Sequence, residues 1–151
     1  MKVALIGLAV VTSLVFLGLF QLAHKSKNPP AIGLLDGQLR ACHAITNCVN
    51  STAQDASAIE PIHFSGDAKT LWAQLPSIVE AMNGTILEQD HQYFWLSFRT
   101  PVFGFIDDME LLWDADTQQL QVRASSRVGR SDFSKNRERV EALRRHIEAL
   151  K

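Results

Sequence analysis

The apolar positions of this chain change their spacing three times. From Val3 to Ala23 the row VALIGLAVVTSLVFLGLFQLA carries no charge and no period. At about 1.5 Å per residue it is long enough to cross a hydrocarbon core of about 30 Å. From Asp67 the apolar residues Ala68, Leu71, Trp72, Leu75, Ile78, Val79 and Met82 fall on one face of a helix. Asp67 can cap its start, Gly84 can close its end, and Pro76 inside it predicts a kink. Beyond Gly84 the period becomes two. TILEQD, YFWLSFRT, FIDDMELLWD and LQVRASSRV read as four antiparallel strands in a meander. A last helix follows Gly129, with Ser131 or Asp132 as its cap and Phe133, Asn136, Val140, Leu143, Ile147 and Leu150 as its inner stripe.

These elements predict an α+β fold of helix-grip-like order βαββββα, in which two helices cover one face of the sheet. Residues 59–151 form the globular domain, opening on IEPIHFS as a short edge strand where Pro61 is tolerated. Residues 1–23 are the anchor. Residues 24–58, with Pro29-Pro30 and the aperiodic NCVNSTAQDASA, read as a linker with a cystine-pinned segment. On the apolar sheet face Phe94, Leu96 and Phe98 align with Met109, Leu111 and Trp113, and these with Leu120, Val122 and Ala124. The other face carries Arg99, Asp108, Glu110, Arg123, Ser125 and Arg127. A register that keeps the apolar residues together sets Glu110 opposite or diagonal to Arg123 and Asp108 near Ser125. Such an exposed ion ladder stabilises by roughly 0.2–1 kcal/mol per pair.

The N-terminal run reads as a retained single-pass anchor through residues 3–23. A cleaved secretory signal competes, although secretory apolar cores span only about 7–15 residues. Lys2 on one side is balanced by Lys25 and Lys27 on the other, so the positive-inside rule does not fix the orientation. The cysteines speak to compartment. Cys42 and Cys48 are the only two in the chain, and a disulfide between them requires an oxidising space, which places the domain on the periplasmic or other extracytoplasmic side. Two free buried thiols are the plainer alternative. A metal site from Cys42, His43, Cys48 and His63 fits no usual zinc spacing. The formal net charge of −1 argues against nucleic acid as a partner.

Asp107 and Asp108 are adjacent, so on a strand they point to opposite faces. Asp108 and Glu110 share a face about 7 Å apart, a separation that suits two-carboxylate chemistry. Neighbouring arginines would keep both ionised, whereas a general acid needs one raised pKa. Asp107 falls at the end of the apolar face, where a carboxylate needs a partner. Arg130, Asn136 or Arg137, with Asp132 beside them, form the polar lock expected to tie the last helix to the sheet there. Ser125, Ser126 and Ser131 lack a nucleophile elbow and a neighbouring histidine. No phosphate loop, dinucleotide fingerprint or haem motif is present, so no cofactor is expected. The expected function is therefore a non-enzymatic binding or scaffold module for an envelope protein or lipid, through Arg99, Asp108, Glu110, Arg123, Ser125, Arg127 and Arg130. A hydrophobic-ligand carrier and a hydrolase using the Asp/Glu/Arg cluster are the alternatives.

NCVNS at 47–51, the proline-bearing segment with His63, FGFIDDMEL at 103–111 and RASSRVGRSDFSKNRERVEALR at 123–144 together resemble the family known as domain of unknown function 1499. The resemblance covers most of residues 40–148. It implies no established activity; it implies a paired-cysteine segment following a signal or membrane segment, in keeping with export. His43 stands where the family usually has proline, and Asn50 where it usually has serine.

Overall fold

The computed structural model describes residues 2–44 and 46–150. The uncharged N-terminal run forms one helix, α1 (Lys2–Lys25). Its stretch Ala4–Lys25, with mean hydropathy 2.3, is long and apolar enough to cross a membrane. The rest of the chain gives, in order, β1 (Cys48–Asn50), β2 (Ile62–His63), α2 (Ala68–Ala81), β3 (Gly84–Gln89), β4 (Tyr93–Arg99), β5 (Ile106–Asp114), β6 (Gln119–Ser126) and α3 (Lys135–Glu148). The fold is α+β, an open antiparallel sheet packed against helices.

The predicted meander is β3–β4–β5–β6, the predicted edge strand in IEPIHFS is β2, and β1 adds a sixth strand to the five expected. β1 and β2 both pair with β6, β1 with Arg123–Ser125 and β2 with Gln119–Leu120. β1 escaped the pattern because it is three residues long and buried on both faces, leaving no alternation to read.

One face of the sheet builds the core. Phe94, Leu96, Met109, Leu111, Leu120, Val122 and Ala124 are all buried, against Leu71, Leu75, Ile78 and Val79 of α2 and Val140, Leu143 and Ile147 of α3. Burial of each large side chain stabilises by about 1.5–3 kcal/mol. Asp67 caps α2, accepting from the Thr70 N–H at 2.8 Å, and the helix runs on through Pro76. Asn83, with φ 57°, takes the left-handed position after α2 that was expected of Gly84. Gly84 is needed for room instead, since a Cβ there would lie 2.8 Å from both Phe98 and Val79. At the other helix, Asp132 accepts from the Asn136 N–H at 2.8 Å and so satisfies the start of α3. Phe133 does not join the inner stripe. Phe133 and Ser134 adopt positive φ before the helix begins, and the Phe133 ring is turned out, 86% exposed.

Residues 26–40 lie across the second face of the sheet and do not hang free as a linker. Leu39 is buried there, and Leu35 to Gln38 turn back in a small bridge. No apolar stripe marks this segment, because backbone contacts to sheet side chains hold it. Cys42 and Cys48 form a disulfide that ties its end to β1. Reducing that bond should cost about 2 kcal/mol on the loop-entropy argument. The unfolding midpoint with and without reductant checks this; an unchanged midpoint would mean the other contacts already restrain the loop.

Candidate functional site

The register brings the polar residues together in two rows. Asn50, Arg123, Glu110 and Trp95 lie side by side across β1, β6, β5 and β4, and Cys48, Ser125, Asp108 and Ser97 form the next row. Glu110 thus stands opposite Arg123 and Asp108 opposite Ser125. The ladder is not exposed, however. Glu110 is 0% and Arg123 2% exposed, and Asp108 and Ser125 are likewise buried, because residues 26–40 cover them.

Each carboxylate is fully engaged. Glu110 accepts from Arg123 Nη1 at 2.5 Å, from the Tyr93 hydroxyl at 2.8 Å and from the Gly33 N–H at 2.9 Å. Burial, and then the Glu110 charge, push the Tyr93 phenol up from its ordinary pKa, which keeps its proton in place as a donor. Asp108 takes both ends of the Arg127 fork, at 2.8 and 2.7 Å, and the Trp95 indole N–H at 2.8 Å. Arg123 Nε is buried with no partner among the described residues.

Arg127 also reaches beyond the sheet. Its Nη1 donates to the carbonyls of Ser26 at 3.2 Å and Lys27 at 3.1 Å, just past the last turn of α1. The Ser26 hydroxyl accepts from the Ile106 N–H at 3.1 Å and donates to the Ala23 carbonyl at 2.6 Å. The last four carbonyls of α1 already accept from Ser26, Lys27 and Asn28, so the guanidinium holds the turn that follows the helix, and its charge complements the helix dipole. Arg127 therefore couples a sheet carboxylate to the end of the apolar helix.

Around this junction lies the rim of the sheet. Leu19, Leu22 and Ala23 of α1 are shielded by the domain, and Ser26 just beyond the helix continues the same face. The loop between β4 and β5, TPVFGF, packs alongside: the Phe103 ring lies 5.8 Å from Phe16, 5.5 Å from Phe20 and 6.1 Å from Phe105. Val102 at its tip is 73% exposed. Arg99 flanks the loop, folded over Gly104, where a Cβ would lie 2.8 Å from its Nε. Arg130 is exposed in the turn after β6.

Asp107 meets α3 through Arg139, at 3.2 Å, rather than through Arg130 or Arg137. Arg139 lies over the Phe98 ring at 4.6 Å and donates to Asn136 Oδ1, while Asn136 Nδ2 donates to the Asn47 carbonyl and the Ser126 hydroxyl. Arg137 donates instead to the Ala58 carbonyl at 2.8 Å, and the Arg130 carbonyl accepts from the Thr46 hydroxyl. Of the residues that sequence reasoning did not single out, Tyr93 and Trp95 were within reach, since their parity with Phe94 and Leu96 puts two aromatic rings with polar tips opposite the acids. The apolar turn VFGF was a second signal, as turns are usually polar. Ser26 and Gly33 carried none.

No curated protein and no solved structure gives a significant match to the chain. Residues 38–147, from the small bridge over the polar face to the last turn of α3, match the family described as protein of unknown function (DUF1499), and the chain belongs to that family.

Proposed function

We propose that this protein is a single-pass, membrane-anchored domain on the extracytoplasmic side that acts by binding, with the lipid surface of its own membrane as the immediate contact. The observation that carries this reading is the packing of Phe103 against Phe20 and Phe16. Those residues sit about 7 and 14 Å along the axis from Lys25, at about 1.5 Å per residue. If α1 spans the bilayer, the tip of the TPVFGF loop stands below the end of the anchor, among headgroups and acyl chains. Lys25 and Lys27 at the end of α1, Arg99 beside the loop and Arg130 in the turn after β6 are exposed, and their positive charge suits anionic headgroups. The disulfide supports an oxidising compartment.

The same geometry weighs against the alternatives. A hydrolase needs a reachable carboxyl that holds a proton, whereas Asp108 and Glu110 are buried and each ion-paired with arginine. A carrier would need space among Phe94, Phe98, Met109 and Trp113, and these four are packed core. The full chain should be placed in phosphatidylcholine vesicles with and without phosphatidylglycerol, carrying an environment-sensitive fluorophore on Val102→Cys. Blue-shifted emission quenched by brominated acyl chains is expected. Emission characteristic of water in both vesicles would refute the lipid contact.

A further inference from the structure

Between α1 and the domain lies a cavity of about 350 Å³, walled by Leu19 and Leu22 on one side and by Phe105, Ile106, Val128 and Phe133 on the other. Its walls are mainly apolar, so water finds few of the two to four polar partners it needs there. Protein interiors are otherwise close-packed, and an open apolar space of this size calls for an occupant. One of its walls, Leu19 with Leu22, belongs to the apolar helix, so the space opens onto whatever surrounds the last turns of that helix. The acids at the far side are already committed: Asp107 to Arg139, and Asp132 to the start of α3. Arg130, by contrast, lies between the lining residues Gly129 and Ser131, is exposed, and makes no ion pair among the described residues.

We propose that this cavity holds an acyl chain of an anionic phospholipid drawn from the leaflet at the C-terminal end of α1, with its phosphate beside Arg130. This deepens the membrane-contact reading and rests on it. A chain seated between anchor and domain would fill the space without exposing apolar surface to water. Phe133, held outward by its left-handed backbone, would cover the chain from the side of α3.

The test uses the full chain in phosphatidylcholine vesicles doped with phosphatidylglycerol that carries a photoreactive diazirine in one acyl chain. Irradiation should label the peptides containing Ile106 and residues 128–133 as well as α1 itself. Val128→Trp, which fills the cavity from the domain side, and Leu22→Trp, which fills it from the anchor side without entering the domain's core, should each lower labelling of 128–133 by about tenfold. Arg130→Gln should remove the preference for phosphatidylglycerol over a diazirine phosphatidylcholine. Labelling confined to α1 and residues 101–103, or unchanged by both tryptophans, overturns the cavity site while the fluorophore at position 102 still reports insertion. Loss of that insertion signal instead would bring down the membrane contact itself.

Discussion

Replacing Glu110 by alanine should destabilise the domain by about 3–5 kcal/mol, the usual cost of stranding one member of a buried ion pair. The loss falls on three donors together: Arg123 Nη1, the Tyr93 hydroxyl and the Gly33 N–H all point at that carboxylate. Among the described residues Arg123 is the largest fully buried side chain and already has one nitrogen without a partner, so no second acceptor stands beside it there. Against a total stability of about 5–15 kcal/mol this is a large fraction. The unfolding midpoint should fall by on the order of 10 °C or more. Glu110→Met combined with Arg123→Met should recover the part of the loss that belongs to the pair, because a buried pair exchanged for apolar side chains of similar volume is often close to neutral, while the Tyr93 hydroxyl and the Gly33 N–H still lack their acceptor. Thermal unfolding of the detergent-solubilised full chain decides it; a single variant within about 1 kcal/mol of the natural protein would show the carboxylate to be dispensable.

The sheet was legible because its period is two and its apolar parity holds from Phe94 to Phe98, Met109 to Trp113 and Leu120 to Ala124, which fixes both register and facing. The Glu110–Arg123 pairing followed from that register alone. What parity could not give was exposure. Whether a polar face meets water depends on what lies over it, and the segment from Ser26 to Arg40 reaches the sheet through one serine hydroxyl and through backbone groups, which leave no periodic mark in side-chain pattern. The contacts that decide it, Ser26 with Ile106 and Gly33 with Glu110, join residues far apart in the chain. The Asp107 partner shows a milder form of the same difficulty. Its place at the end of the apolar face demanded a cation from α3, but Arg137 and Arg139 both lie near the inner stripe, and the rotation of the helix chooses between them.

Replacing Arg127 should separate two effects that the ladder alone would not predict. Arg127→Ala strands Asp108, which keeps only the Trp95 indole, and a cost of about 3–5 kcal/mol to the domain is expected for that reason. It also uncovers the carbonyls of Ser26 and Lys27, so the stretch from Ser26 to the Gly33 contact should loosen from the sheet. Trypsin should then cut after Lys25 and Lys27 much faster than in the natural protein, at temperatures well below the unfolding midpoint. Arg127→Lys sharpens the argument, since an ammonium on a single stem cannot hold both carboxylate oxygens and two carbonyls at once, as the planar fork does. It should retain part of the stability through its charge yet leave the Lys25–Asn28 region open to cleavage. Asp108→Asn should do the reverse in part, keeping an oxygen for the fork while weakening it. If proteolysis at Lys25 and Lys27 is unchanged in both Arg127 variants, the guanidinium contributes to folding only. The orientation of the domain on α1 must then be set by the helix face of Leu19, Leu22 and Ala23 together with Ser26 and Phe103.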